Sequence, residues 1–153
     1  MAQKRYLCGM GRVLAIDYGR RRCGIAVTDI LRIAAGALPT VRSCDLEAFL
    51  TDYIQREQVD LLVVGLPKTL AGEESESMRY IRPFVNRWRK LHPEIPVEMY
   101  DERFTSAIAH REMVAGGMKK SRRQEKGSAD AVAAVIILTD WLQSVRNTPA
   151  PLH

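Results

Sequence analysis

The sequence predicts an α/β domain built on a mixed sheet, and three stretches carry that reading. VLAI and CGIAV are β-rich runs separated by a glycine and arginines, which is the pattern of a hairpin and hence of an antiparallel start. VDLLVVGLP is a fully apolar strand, preceded by one helical pattern and followed by another, an order that requires a parallel pairing somewhere in the sheet. The run AVAAVIIL near the C-terminus is apolar all round, so its helix must lie deep against the sheet.

Taken in order, residues 1–11 read as a loose tail, followed by strands at about 13–18 and 22–28 and a third from Gly36 to Val41. Leu46, Phe49, Leu50, Tyr53 and Ile54 then recur at helical spacing, with Ser43 or Asp45 placed to cap. After the apolar strand, GLPKTLAGEESE reads as a loop entering a helix, with Glu73, Glu74 and Glu76 suited to the positive end of its dipole. Met78, Ile81, Val85, Trp88 and Leu91 mark the buried face of that helix, and Pro83 within it predicts a kink or a later start. The Trp88 ring is expected in the core rather than at a base. PVEMY is the last strand. Thr105 or Ser106 is placed to cap a helix that Gly116 and Gly117 stop, and MKKSRRQEKG is a basic loop from which Ser128 starts the final helix. Residues 146–153 read as a second tail.

A chain of 153 residues is the size of one domain, so 1–153 is read as a single unit. Its 46% hydrophobic and 27% charged content is ordinary for a globular protein, and no signal peptide or long apolar run is present, which predicts a cytoplasmic protein without membrane attachment. Cys8, Cys23 and Cys44 lack the spacing of a zinc site or a disulfide scaffold and read as reduced thiols. The net charge of +5 favours polyanions. Arg20, Arg21 and Arg22 adjoin the first strand end, and Lys119, Lys120, Arg122, Arg123 and Lys126 precede the last helix; taken singly, each run is also what a solvated loop looks like.

Acids stand at the ends of three elements otherwise made of core residues. Asp17 closes the first strand, Asp101 and Glu102 close the last, and Asp130 opens the final helix. Each has a plain explanation: an Asx turn for Asp17, a salt bridge for Glu102, a favourable helix dipole for Asp130. Successive strand side chains point to opposite faces, so Asp101 and Glu102 cannot both address one point while the strand persists. Together, however, the acids suit hard divalent cations, and two-metal phosphoryl transfer, with metals about 3.5–4 Å apart, needs carboxylates converging from several elements. Nearby cations would hold the flanking phosphates.

The motifs LAIDYGRRRCGIAVTD, VVGLPKTLAGEESE, YDERFTSAIAHREM and KGSADAVAAVIIL, in that order, resemble the YqgF/RuvX family, described as Holliday junction resolvases and pre-16S rRNA nucleases. The resemblance covers nearly the whole chain. It implies an RNase H-like fold, a five-stranded mixed sheet flanked by helices, in a bacterial cytosolic protein. It makes Asp17, Glu102 and Asp130 the catalytic, metal-holding acids, with Asp101 as a further candidate ligand and Mg²⁺ or Mn²⁺ as the cofactor. Lys126 also matches a family position, and Arg103, beside Glu102, joins the arginines and lysines above as a nucleic-acid contact. Ala129, where a bulkier aliphatic is usual, and the three arginines after Gly19 are small departures.

The same implied mechanism needs no histidine, and His92, His110 and His153 are not placed as bases. Asp-Tyr-Gly with a hairpin also resembles the first phosphate loop of sugar kinases and actin-like ATPases, but those need a second lobe for which this chain has no room. A non-catalytic binding module gains nothing from carboxylates beside phosphates. Pre-rRNA is favoured over DNA junctions because paired junction cuts need a two-fold dimer surface, and the apolar stripes are accounted for by internal packing. A monomer is therefore the expectation, with a dimer as the alternative.

Overall fold

The computed structural model describes residues 11–66, 78–101 and 126–147, of which 126–130 and 146–147 are described by backbone alone. Among them, five strands form one sheet: β1 (Arg12–Tyr18), β2 (Arg22–Thr28), β3 (Ala35–Arg42), β4 (Val59–Leu66) and β5 (Val97–Asp101), in the spatial order β3-β2-β1-β4-β5. The pairs β1–β2 and β2–β3 are antiparallel, whereas β1–β4 and β4–β5 are parallel. Helix α1 (Leu46–Arg56) follows a short 3-10 turn at Ser43–Asp45, α2 (Met78–Leu91) joins β4 to β5, and α3 (Lys126–Asn147) comes last. The mixed α/β sheet expected from the sequence is the sheet observed.

Both faces of the central strands are covered, which is why β1 and β4 are apolar at consecutive positions. Leu14, Ile16, Leu62 and Val64 face α1 and α2, meeting Leu46, Leu50, Ile81, Phe84 and Trp88. Val13, Ala15, Leu61 and Val63 face α3, meeting Ala133, Ala134, Ile137, Leu138 and Trp141. The edge strand β3 is half exposed and holds Pro39 at a register irregularity against β2, a position where a missing backbone N–H does no harm.

Four local expectations need correction. Neither Ser43 nor Asp45 caps α1 through its side chain. The Ser43 hydroxyl donates instead to the Gly19 carbonyl, 2.6 Å away, because the turn brings it against the β1–β2 hairpin. Helix α2 starts at Met78 and continues through Pro83 rather than beginning after it, and Pro83 and Arg79, whose carbonyl loses that donor, are both exposed. Its buried stripe uses Phe84 and leaves Leu91 51% exposed at the last position. Finally, α3 begins at Lys126, so Ser128 lies inside the first turn rather than ahead of it, and the helix runs two residues into the segment read as a tail.

Trp88 is buried as expected, its ring 6.2 Å from Phe84 and 4.3 Å from His92. Cys23 and Cys44 are free thiols. Among the described residues no helix is long and apolar enough to cross a membrane. The expected N-terminal tail, the 67–77 loop and the elements between 102 and 125 lie outside the described residues, apart from residue 11.

Candidate active site

Asp17 is the one acidic or basic residue among the described residues that is buried, with 7% of its surface exposed. Its place in β1 explains how a carboxylate comes to be there. Four apolar residues drive β1 through the middle of the sheet, and side-chain alternation sets Asp17 on the same face as Val13 and Ala15, the face covered by α3. In the register, Asp17 lies opposite Gly24 of β2, and the β4 residue after the Ile16–Val64 pair is Gly65. Glycines therefore stand at the register positions next to Asp17 on both neighbouring strands. Sequence reasoning missed these two glycines, although a lone glycine inside an apolar strand is itself a signal of close approach.

The hairpin that follows is held firmly. An alanine Cβ at Gly19 would meet the Arg22 carbonyl oxygen at 2.3 Å, so only glycine permits this turn. Ser43 clamps it from outside, its N–H donating to the Arg21 carbonyl at 2.8 Å while its hydroxyl holds Gly19. Arg20 and Arg21 are thereby presented to solvent from a fixed backbone, whereas Arg22 is half-buried in β2 opposite Arg42.

On β5, Glu98 and Tyr100 point to the α3 face, and Val97 and Met99 pack on the other. Asp101 continues the latter set, so it lies on the opposite face from Asp17. The Trp141 indole N–H donates to Glu98 Oε2 at 3.0 Å, and Tyr100 hydrogen-bonds Ser144, which together fasten the C-terminal half of α3 to β5. Burial raises the Tyr100 phenol, with the Asp140 carboxylate adding to the effect; burial also raises Tyr18, followed by the influence of Cys23. Both phenols stay protonated at neutral pH.

Glu102, Arg103, Lys119, Lys120, Arg122 and Arg123 lie outside the described residues, and Asp130 and Lys126 are placed only as backbone positions in the first turns of α3. No group of three metal-binding side chains occurs among the described residues. His92 sits in the turn between α2 and β5, at the other end of the sheet from Asp17, with Nε2 3.3 Å from the Thr51 hydroxyl. It belongs to the packing there.

The profile of the RuvX family, described as "Holliday junction resolvase", matches residues 11–144. The chain belongs to the RuvX family. A "Putative pre-16S rRNA nuclease" from Parabacteroides distasonis is 53% identical over 135 residues, covering 88% of this chain and 96% of the relative. Another of the same name, from Phocaeicola vulgatus, is 51% identical and covers 88% and 97%. Among solved structures, T. thermophilus RuvC in complex with a Holliday junction substrate is similar at a TM-score of 0.55 and 21% identity, covering 90% of this chain and 97% of that one. The fold of this RuvX family member is RNase H-like, and the family is one of nucleic-acid phosphodiester hydrolases.

Proposed function

We propose that this RuvX family member is a divalent-metal-dependent cytoplasmic endonuclease that processes the 5′ end of pre-16S rRNA, working as a single domain at the end of the sheet that holds Asp17. The observation that carries the reading is the burial of one carboxylate at the end of a central strand, next to a hairpin that exposes two arginines. A carboxylate held at a fixed place on a core strand is a suitable oxygen ligand for a hard cation such as Mg²⁺ or Mn²⁺.

Asp17 fits such a cation by its donor chemistry, and two further acids complete the set in this reading. Asp101, on the face opposite Asp17, is the less suitable of the two adjacent acids, and Glu102 is the second ligand in this reading. Asp130, in the first turns of α3, is the third ligand in this reading. Asp17, Glu102 and Asp130 would hold the metal. When bound, it supplies Lewis-acid stabilisation of the attacking and leaving oxygens of an in-line displacement. Arg20 and Arg21 hold the phosphates that flank the scissile bond, and the fixed hairpin keeps them in register with Asp17. The neutral Tyr18 and Tyr100 phenols add no negative charge to repel the substrate.

RNA processing ranks above junction resolution because both relatives cited carry the rRNA name, and because a single site suits a flexible strand without a two-fold partner. Junction resolution stays as the second reading on the strength of the family's own description. A side-by-side assay on a precursor spanning the 16S 5′ end and on a mobile four-way junction decides between them. Cleavage of the precursor with little junction nicking is expected; paired nicking of the junction with the precursor untouched would reverse the order.

A further inference from the structure

The helix α2 holds Arg79, Arg82, Arg87, Arg89 and Lys90 and no acid. The chain has 23 basic and 18 acidic residues, so these five account for its whole excess charge, and the other 18 cations and 18 carboxylates cancel. All five are exposed, and they share the outer half of the helix, opposite the buried stripe of Met78, Ile81, Phe84, Val85 and Trp88. An ordinary solvated helix face mixes signs, as α1 does with its Asp52–Arg56 pair at 3.0 Å. On α2, Arg79 with Arg82 and Arg87 with Lys90 instead place like charges three residues apart, at a cost to the helix. Glu47 of α1 reaches Arg87 at 3.2 Å, Arg89 donates to the Val97 carbonyl and Arg82 also has a partner, but the helix itself supplies no acid against its five cations.

Its position matters as much as its sign. Phe84 packs 5.5 Å from the Tyr18 ring, so the middle of α2 lies beside the end of β1, one residue from Asp17 but on the other face of the sheet. The exposed Arg20–Arg21 hairpin follows that same strand end and lies between the two faces. From Arg79 to Lys90 the ridge is about 16 Å long at 1.5 Å per residue. That length runs beside several backbone charges, which follow one another about every 3.4 Å along each strand of a duplex axis.

We propose that the outer face of α2 is a second, sequence-independent contact for the phosphodiester backbone of the nucleic-acid substrate, reached by a path that wraps from Asp17 over the Arg20–Arg21 hairpin. This rests on the nuclease reading above. The ridge fixes where the substrate's flank lies, and so which phosphate arrives at the carboxylate.

The test measures binding without catalysis, in EDTA, using an RNA hairpin with a single-stranded extension and a salt titration from 50 to 200 mM. The triple variant Arg79→Gln, Arg82→Gln, Lys90→Gln is compared with the parent, with Arg56→Gln on α1 as the matched control. Three lost phosphate contacts make the plot of log Kd against log salt shallower by about 2.1–2.7, so the gap between variant and parent narrows roughly 20–40-fold across that range. The variant Arg79→Lys, Arg82→Lys, Lys90→Arg keeps the parental slope, and the control does too. An unchanged slope in a folded triple variant, with parental binding intact, overturns the ridge and leaves the nuclease reading standing. A parent that binds no RNA at any salt overturns both. Equal loss of binding to phosphatidylglycerol vesicles would reassign the face to lipid and overturn the proposal.

Discussion

At the scale of single residues, the candidate site pairs a buried carboxylate with glycines at the adjoining strand positions. Those glycines are Gly24 and Gly65, and Gly19 lets the hairpin fold back so closely that the Arg22 carbonyl occupies the space of a Cβ. Gly19→Ala must therefore displace backbone rather than a flexible side-chain tip. We expect it to cost about 1–3 kcal/mol, the usual range for overpacking, read as a lower midpoint in urea unfolding. An unchanged midpoint would mean that the turn relaxes freely and that Arg20 and Arg21 are not fixed by it. The acid at position 17 was legible in the sequence because a charged residue directly after VLAI breaks an apolar run. Its burial was not, because burial depends on α3, more than a hundred residues later in the chain.

Among the elements, α3 and β5 depend on each other. The Trp141 N–H to Glu98 bond crosses from helix to strand at 3.0 Å, and the two elements lead to positions 130 and 102. Trp141→Phe keeps most of the packing against the α3 face but leaves the Glu98 carboxylate without this donor. A loss of about 1–2 kcal/mol in chemical unfolding is expected, in line with a part-buried bond to a charged group. A midpoint equal to that of the parent would show that water replaces the indole without penalty. The strands were readable to within a residue or two, because β1 and β4 carry their burial on both faces as continuous apolar runs. Helix starts were less readable. Ser43 has the right chemistry for a cap yet spends its hydroxyl on Gly19, a contact 24 residues away that no local pattern encodes. Ser128 likewise has the composition of a cap but falls two residues inside α3. The α2 ridge was overlooked because its arginines are interleaved with core positions rather than adjacent, unlike the run at Arg20–Arg22.

The whole molecule separates its jobs by face and by end. One face of the sheet, under α3, holds the carboxylate; the other, under α1 and α2, holds the larger aromatic core and the positive ridge. At the opposite end of the sheet, Arg32 pairs with Asp60 at 2.8 Å and anchors the β2–β3 turn, where Ile30, Leu31 and Ile33 are exposed. The sequence had suggested that internal packing absorbs the apolar residues, and these three depart from that because the turn lies beyond the reach of α3's buried stripe. The proposed function joins the parts by asking Asp17 to bind a divalent cation where phosphodiester hydrolysis would occur. The most direct measurement is single-turnover cleavage of a 16S 5′ precursor by the parent and by Asp17→Asn, each in Mg²⁺, in Mn²⁺ and in EDTA, with thermal unfolding followed by circular dichroism. Asparagine keeps the shape and loses the charge, so the variant should fold as the parent does and cleave slower by on the order of 10²–10³-fold or more, as when an electrostatic group is removed from a reacting centre. EDTA should silence the parent. Full cleavage by a folded Asp17→Asn protein, or parental cleavage that persists in EDTA, would contradict the metal-site account.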